Sequence, residues 1–181
     1  MSAHSRFYAR VLFYPTLGWN YALARIFRFR RWWDFVDPQL IVGARPFRRD
    51  ALRLHSIGVR AVLNTCEEYL GPVGEYERLG ITQLRVPTTD FIHPTLADVQ
   101  AGVTFIQQHI EQGNVVYVHC KAGRARSATI ALCWLVKHRG QTPAEAQQQL
   151  LAARPHINPR LTDRPVVQAF VKSLAKSTQV E

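Results

Sequence analysis

The sequence predicts an α/β domain with a partly parallel central sheet flanked by helices. Three observations carry that reading. From Phe35 onward, short strand-like runs alternate with helix-length amphipathic stretches, the order that builds strand–helix–strand units. Residues 115–118 (VVYV) are wholly apolar, as befits a central strand buried on both faces. Finally, 47% of the 181 residues are apolar, which suits one core, and the chain is too short for two ordinary enzyme domains.

The elements follow in order. Residues 39–42 (QLIV) are a short strand ended by Gly43, and 49–56 read as a helix followed by Gly58. Residues 60–64 (RAVLN) are a second strand, followed by a polar loop with Gly71, Pro72 and Gly74. Residues 81–86 (ITQLRV) alternate apolar and polar side chains, so they are a third strand, which Pro87 should stop. Thr95 can cap a helix whose apolar stripe is Leu96, Val99, Val103, Phe105, Ile106 and Ile110, ending near Gly113. After the VVYV strand, a helix spans about 126–139 and stops at Gly140. Thr142, Pro143 and Glu145 open another that ends near Ala153, and a last helix covers 163–173.

Charge divides the chain unevenly. The formal net charge is +10, and residues 1–33 hold six arginines with no Asp or Glu, leaving 17 basic and all 13 acidic residues for the rest. The same front end is dense in Phe, Tyr and Trp. A transmembrane helix, a targeting peptide, a segment lying on a membrane and a helix docked on the domain all compete for it. The best span, 7–24, is interrupted by Arg10, Pro15, Gly18 and Asn20, whereas a crossing needs about 20 nearly unbroken apolar residues. An arginine-rich, acid-free, aromatic segment better fits targeting or surface association, with Trp and Tyr at headgroup depth and Arg on anionic lipid. The division is therefore 1–33 as a targeting or membrane-associating segment and 34–181 as the folded domain. Nucleic acid is not expected, since no binding motif accompanies the basic run. Cys66, Cys120 and Cys133 are too few for a disulfide scaffold and have no zinc-site spacing, so no metal is expected.

The chemistry lies in 119–128, HCKAGRARSA, between the VVYV strand and the next helix. The strand delivers Cys120 to the carboxyl edge of the sheet, where α/β sites form. A short loop of Lys121, Ala122, Gly123, Arg124 and Ala125 can curl so that its N–H groups converge at a helix N-terminus, a nest for a tetrahedral dianion. The same field favours the Cys120 thiolate. The planar guanidinium of Arg126 can clamp two phosphate oxygens. Nucleophile, anion cradle and charge clamp thus lie within ten residues. Cys133 reads as core packing beside Ile130, Trp134 and Val136.

HCKAGRARSA resembles the HCxxGxxRS loop of the cysteine-dependent protein-tyrosine and dual-specificity phosphatases. Residues 67–76 (EEYLGPVGEY), with VLFYPTLGW near the start and VYVHCKAGR, resemble the mitochondrial phosphatidylglycerophosphate phosphatase branch of that superfamily. The resemblance runs from about Arg10 to Phe170. It implies the dual-specificity phosphatase-like fold and a metal-independent phosphomonoesterase without cofactor. Cys120 would be the nucleophile forming a phosphocysteine, Arg126 the phosphoryl ligand, and Ser127 a donor to the departing sulfur. His119 would hold the loop and tune the thiol. An alkoxide leaving group requires an acid. Asp90, in a loop after a strand, fills that role, with Asp98 as the alternative and His93 as a contributor. Glu67, Glu68 and Tyr69 would border the pocket, Glu67 and Tyr69 binding substrate. Lys121 and Arg124 add positive potential, and a reversible disulfide between Cys66 and Cys120 is a weaker expectation. The implied substrate is an anionic phospholipid, phosphatidylglycerophosphate, met by a monomer at a membrane surface. That surface is the matrix side of the mitochondrial inner membrane in a eukaryote, and the cytoplasmic face of the inner membrane in a bacterium. Phosphoproteins and phosphoinositides are the alternatives, because the loop chemistry is the same for all.

Overall fold

Five strands form one sheet in the order β1-β2-β5-β3-β4. The computed structural model describes residues 30–90 and 92–177, with Pro15, Gly18, Trp19 and Tyr21. β1 (Trp33–Asp37) and β2 (Leu40–Gly43) make an antiparallel hairpin. β3 (Val59–Cys66), β4 (Thr82–Thr88) and β5 (Val115–His119) run parallel to β2. The helices are α1 (Arg48–Ser56), α2 (Val73–Arg78), α3 (Leu96–Glu111), α4 (Arg126–Arg139), α5 (Pro143–Ala153) and α6 (Pro165–Ser177).

The strand periodicity of two sorts side chains onto two cores. Leu40, Val42, Ala61, Leu63, Val116 and Val118 face the larger one, completed by α3, α4, α5 and α6. Ile41, Val62 and Tyr117 face the smaller one, with Ala51 and Leu54 of α1 and Tyr76 of α2, and an irregularity between Val59 and Ala61 brings Val59 to that side as well. β5 is flanked by β2 and β3 and covered on both faces, so its apolar run has nowhere else to go. Its last residue, His119, pairs in register with Gly43 and Asn64. The segment that follows therefore starts at a rigid sheet edge. α3 opens with the expected cap, the Thr95 hydroxyl accepting from Asp98 N at 3.1 Å. This assigns Asp98 to the capping box rather than to acid chemistry. α5 opens in the same way on Thr142 and Glu145, with Pro143 in its first turn.

Four expectations need revision. The sequence does not predict β1, because its buried Asp34 and Asp37 do not read as part of a core strand. Arg154 and Arg139 neutralise them at 2.6 and 2.8 Å. β4 does not stop at Pro87 but continues to Thr88. As the last strand in the order it is an edge, where a residue lacking N–H is tolerated. The loop around Gly71 and Pro72 contains the six-residue helix α2. The last helix starts at Pro165, two residues later than read, and extends to Ser177. Trp33 belongs to β1 and Trp32 is buried beside Ala44, so the end of the basic front segment packs into the domain. Most of residues 1–29, on which the targeting and membrane readings fall, lies outside the described residues. Among the described residues no helix is long and apolar enough to cross a membrane.

Candidate active site

The loop between β5 and α4 is shaped from behind. Four successive carbonyls are bonded outward. Lys121 O accepts Arg45 N at 3.2 Å, Ala122 O accepts Arg154 Nη2 at 3.1 Å, Gly123 O accepts Arg154 Nε at 2.9 Å, and Arg124 O accepts Asn158 N at 2.9 Å. Because a peptide's N–H and C=O point in opposite directions, fixing the carbonyls outward turns the amides inward. Gly123 makes the bend at φ +65°, and a Cβ there would lie 2.4 Å from the carbonyl carbon of Gly43. The loop thus abuts the end of β2 with no room for a methyl group.

Cys120 sits inside this ring, buried. Its sulfur accepts the Gly123 N–H at 3.2 Å and lies 3.4 Å from the Ser127 hydroxyl, which donates to it. Burial alone would raise the thiol pKa. The Arg126 charge, the Ser127 hydroxyl and the main-chain N–H groups of Ser127 and Arg124 oppose it and bring it to about 6. The other two thiols behave differently. Cys133, in the helical core, is pushed up to about 12 by burial, and burial likewise raises Cys66. All three cysteines are free, so the Cys66–Cys120 disulfide is not formed in this structure.

Arg126 opens α4 and is only 2% exposed. Its Nη1 donates to Thr88 O at 2.6 Å and Glu68 Oε2 at 3.0 Å, and its Nη2 lies 3.0 Å from Asp90 Oδ1. Burial works against its charge, but the thiolate of Cys120 and the carboxylates hold it above its ordinary value. The second Asp90 oxygen contacts Lys121 Nζ, and Glu68 Oε1 accepts Asp90 N at 3.0 Å. Asp90 therefore reaches the mouth of the loop, as its place after β4 predicts. A phosphoryl group would compete with these carboxylates for the same donors.

His119 lies beneath the loop. It is fully buried, its ring stacks on Tyr117 at 5.7 Å, and Nδ1 is 3.4 Å from Cys120 O. Burial drives its pKa to about 3, so it is neutral and structural at physiological pH. Two expectations shift. Glu67 bonds the Thr89 hydroxyl, and the Tyr69 hydroxyl donates to Pro46 O while its ring carries Arg45 at 4.4 Å. Neither lines the cleft. The carboxylate that meets Arg126 is Glu68, one residue on, because alternate residues leaving β3 face opposite sides. Lys121, Ala122, Arg124, Ala125 and His93 do line it, and Gly123 and Ser127 contact the sulfur instead.

Sequence reasoning missed Arg154. It is 1% exposed, it bonds two loop carbonyls, and Asp34 Oδ2 receives its Nη1 at 2.6 Å. Its only local signal was an arginine just past the end of a helix, and its partners are over 30 residues away.

Residues 47–166 match the family model for the dual specificity phosphatase catalytic domain. The chain belongs to that family. As a family member it is a phosphatase, and its mixed sheet between helical layers is the dual-specificity phosphatase fold. It is 39% identical over 164 residues to a phosphatidylglycerophosphate phosphatase of Arabidopsis thaliana, covering 89% of this chain and 72% of the relative. It is 36% identical over 181 residues to the human phosphatidylglycerophosphatase and protein-tyrosine phosphatase 1, covering 94% and 90%. The crystal structure of PTPMT1 in complex with PI(5)P aligns with a TM-score of 0.75 at 32% identity, covering 82% of this chain and 99% of that one.

Proposed function

We propose that this phosphatase removes the terminal phosphate of phosphatidylglycerophosphate, giving phosphatidylglycerol, a step in phospholipid and cardiolipin synthesis. The observation that carries the reading is a thiol held near pKa 6 inside an amide-lined loop, in a chain similar to two phosphatases named for that lipid. In the first step the Cys120 thiolate attacks phosphorus. The S–P bond forms, the P–O bond to the glycerol oxygen breaks, and Asp90 delivers its proton to that oxygen. Arg126 and the N–H groups of 121–126 stabilise the charge on the equatorial oxygens. In the second step Asp90 takes a proton from water as the water attacks the phosphocysteine. The sulfur leaves as thiolate, stabilised by the Ser127 hydroxyl. No step calls on a metal ion. Lys121, Ala122, Gly123, Arg124 and Ala125 form the cradle, Glu68 orients Arg126 and Asp90, and His119, Glu67 and Tyr69 brace the surrounding loops.

In this proposal the targeting or membrane-associating segment is the part of residues 1–33 ahead of Trp32, and the catalytic domain takes in β1 from Trp33 onward. The basic aromatic segment holds the monomer against anionic lipid, at the mitochondrial inner membrane or its bacterial counterpart. The experiment is phosphate release in chelator from short-chain phosphatidylglycerophosphate, a phosphoinositide and a phosphotyrosine peptide. The reading expects the highest kcat/KM on the first, and a phosphoinositide or peptide preference overturns it. The phosphoinositide is the serious rival, since PI(5)P occupies the PTPMT1 structure.

A further inference from the structure

The cleft does not end at the signature loop. It has a volume of about 800 Å3 and continues to Asn158, Pro159, Arg160 and Arg164, in the connection between α5 and α6. The inner cations, Arg126 and Lys121, are matched by Glu68 and Asp90. The outer pair is not. Arg164 is 7% exposed. Among the described residues its guanidinium makes one hydrogen bond, from Nη1 to the Thr129 hydroxyl at 2.8 Å, and no carboxylate pairs with it or with Arg160. A guanidinium kept this dry without a counter-charge is costly unless an anion completes the site. Burial lowers the Arg164 pKa and the Cys120 charge partly offsets that, which places Arg164 within reach of the reacting sulfur's field; a guanidinium keeps its charge inside proteins.

The spacing between the two ends of the cleft is fixed by the fold. Thr129, which holds Arg164, stands one turn beyond Arg126 on α4. The turn bearing Arg160 is bonded to the signature loop through Asn158 N to Arg124 O at 2.9 Å, and the Asn158 side chain accepts Arg160 N at 2.8 Å. An anion seated at Arg160 and Arg164 is thus held at a set distance from one seated at Cys120.

We infer that Arg160 and Arg164 form a second anion subsite, which takes the phosphodiester of a glycerophospholipid while its terminal phosphomonoester occupies the loop. This rests on the phospholipid reading above and adds what that reading lacks, a reason to prefer a substrate with two linked phosphates. A substrate with one phosphate leaves the subsite idle. The test is the ratio of kcat/KM on short-chain phosphatidylglycerophosphate to kcat/KM on p-nitrophenyl phosphate, for wild type, Arg160→Met, Arg164→Met and Arg164→Lys. Charge-assisted bonds of this kind predict that the ratio falls about 10-fold to 100-fold in each Met variant and partly recovers in Arg164→Lys. Arg160 is exposed, so its variant tests the subsite even if Arg164→Met does not fold. A ratio within twofold of wild type in Arg160→Met and Arg164→Lys overturns the inference. So does a loss confined to a doubly phosphorylated peptide. Wild type with no activity on the phospholipid overturns both readings, whereas an active wild type with unchanged ratios overturns only this one.

Discussion

Arg126 and Arg154 are both almost fully buried and sit on opposite sides of one loop. Arg126 faces the concave side and holds carboxylates, Glu68 and Asp90, that a phosphate can replace. Arg154 faces the convex side and holds main-chain carbonyls and Asp34, which nothing replaces. The charged neighbours raise the Arg126 pKa despite burial, while burial lowers that of Arg154. The same side chain thus serves as an exchangeable cation in one place and a fixed strut in the other. What differs is whether its partners belong to the chain's frame or are carboxylates at the mouth of the loop.

That contrast can be broken at several points. The largest effect belongs to the group both arginines serve. Cys120→Ser should lower kcat by roughly 10^4-fold or more, read as phosphate release, with the fold retained by circular dichroism. Next, Arg126→Lys keeps the charge but loses the fork, and kcat should fall by about 10^2 to 10^3 with little change in the urea midpoint. Arg154→Met should show the reverse balance. Removing one partner of a buried pair costs about 3–5 kcal/mol, read from urea unfolding. The double variant Asp34→Leu with Arg154→Met should recover much of that stability but not the thiol pKa, because the carbonyls of Ala122 and Gly123 are still released. If Arg154→Met leaves both unfolding and the pKa as in wild type, the strut does not exist.

The smallest effect is a shift in pH dependence. The nucleophile is the thiolate, so below about pH 6 kcat/KM should fall tenfold per pH unit, following Cys120. Ser127→Ala removes a donor to the charged form, so the pKa rises and this acid limb moves to higher pH. Iodoacetate alkylation against pH measures it directly, and an unmoved midpoint would remove Ser127 from the account.

The loop from Cys120 to Arg126 was legible because its chemistry is local: strand, glycine bend and helix start are contiguous. β5, α3 and α4 were legible for the same reason, as apolar runs or stripes with caps. What escaped depends on distant partners. β1 hides behind two aspartates whose arginines lie more than 100 residues on. Pro87 reads as a stop because nothing in the sequence says that β4 is an edge. Glu68 rather than Glu67 meets Arg126 because the strand's exit direction chooses between them, and Arg154 could be assigned only once its carbonyl partners were in place.

The bonds from Arg154 to Arg31 O, Asp34 and the loop carbonyls join segments over 100 residues apart in sequence behind the reactive loop. During synthesis the cysteine emerges well before the arginine that braces its surroundings. A chain cut short ahead of Arg154 would leave the carbonyls of Ala122 and Gly123 without that brace, and its phosphatase activity should fall even with every reacting side chain present.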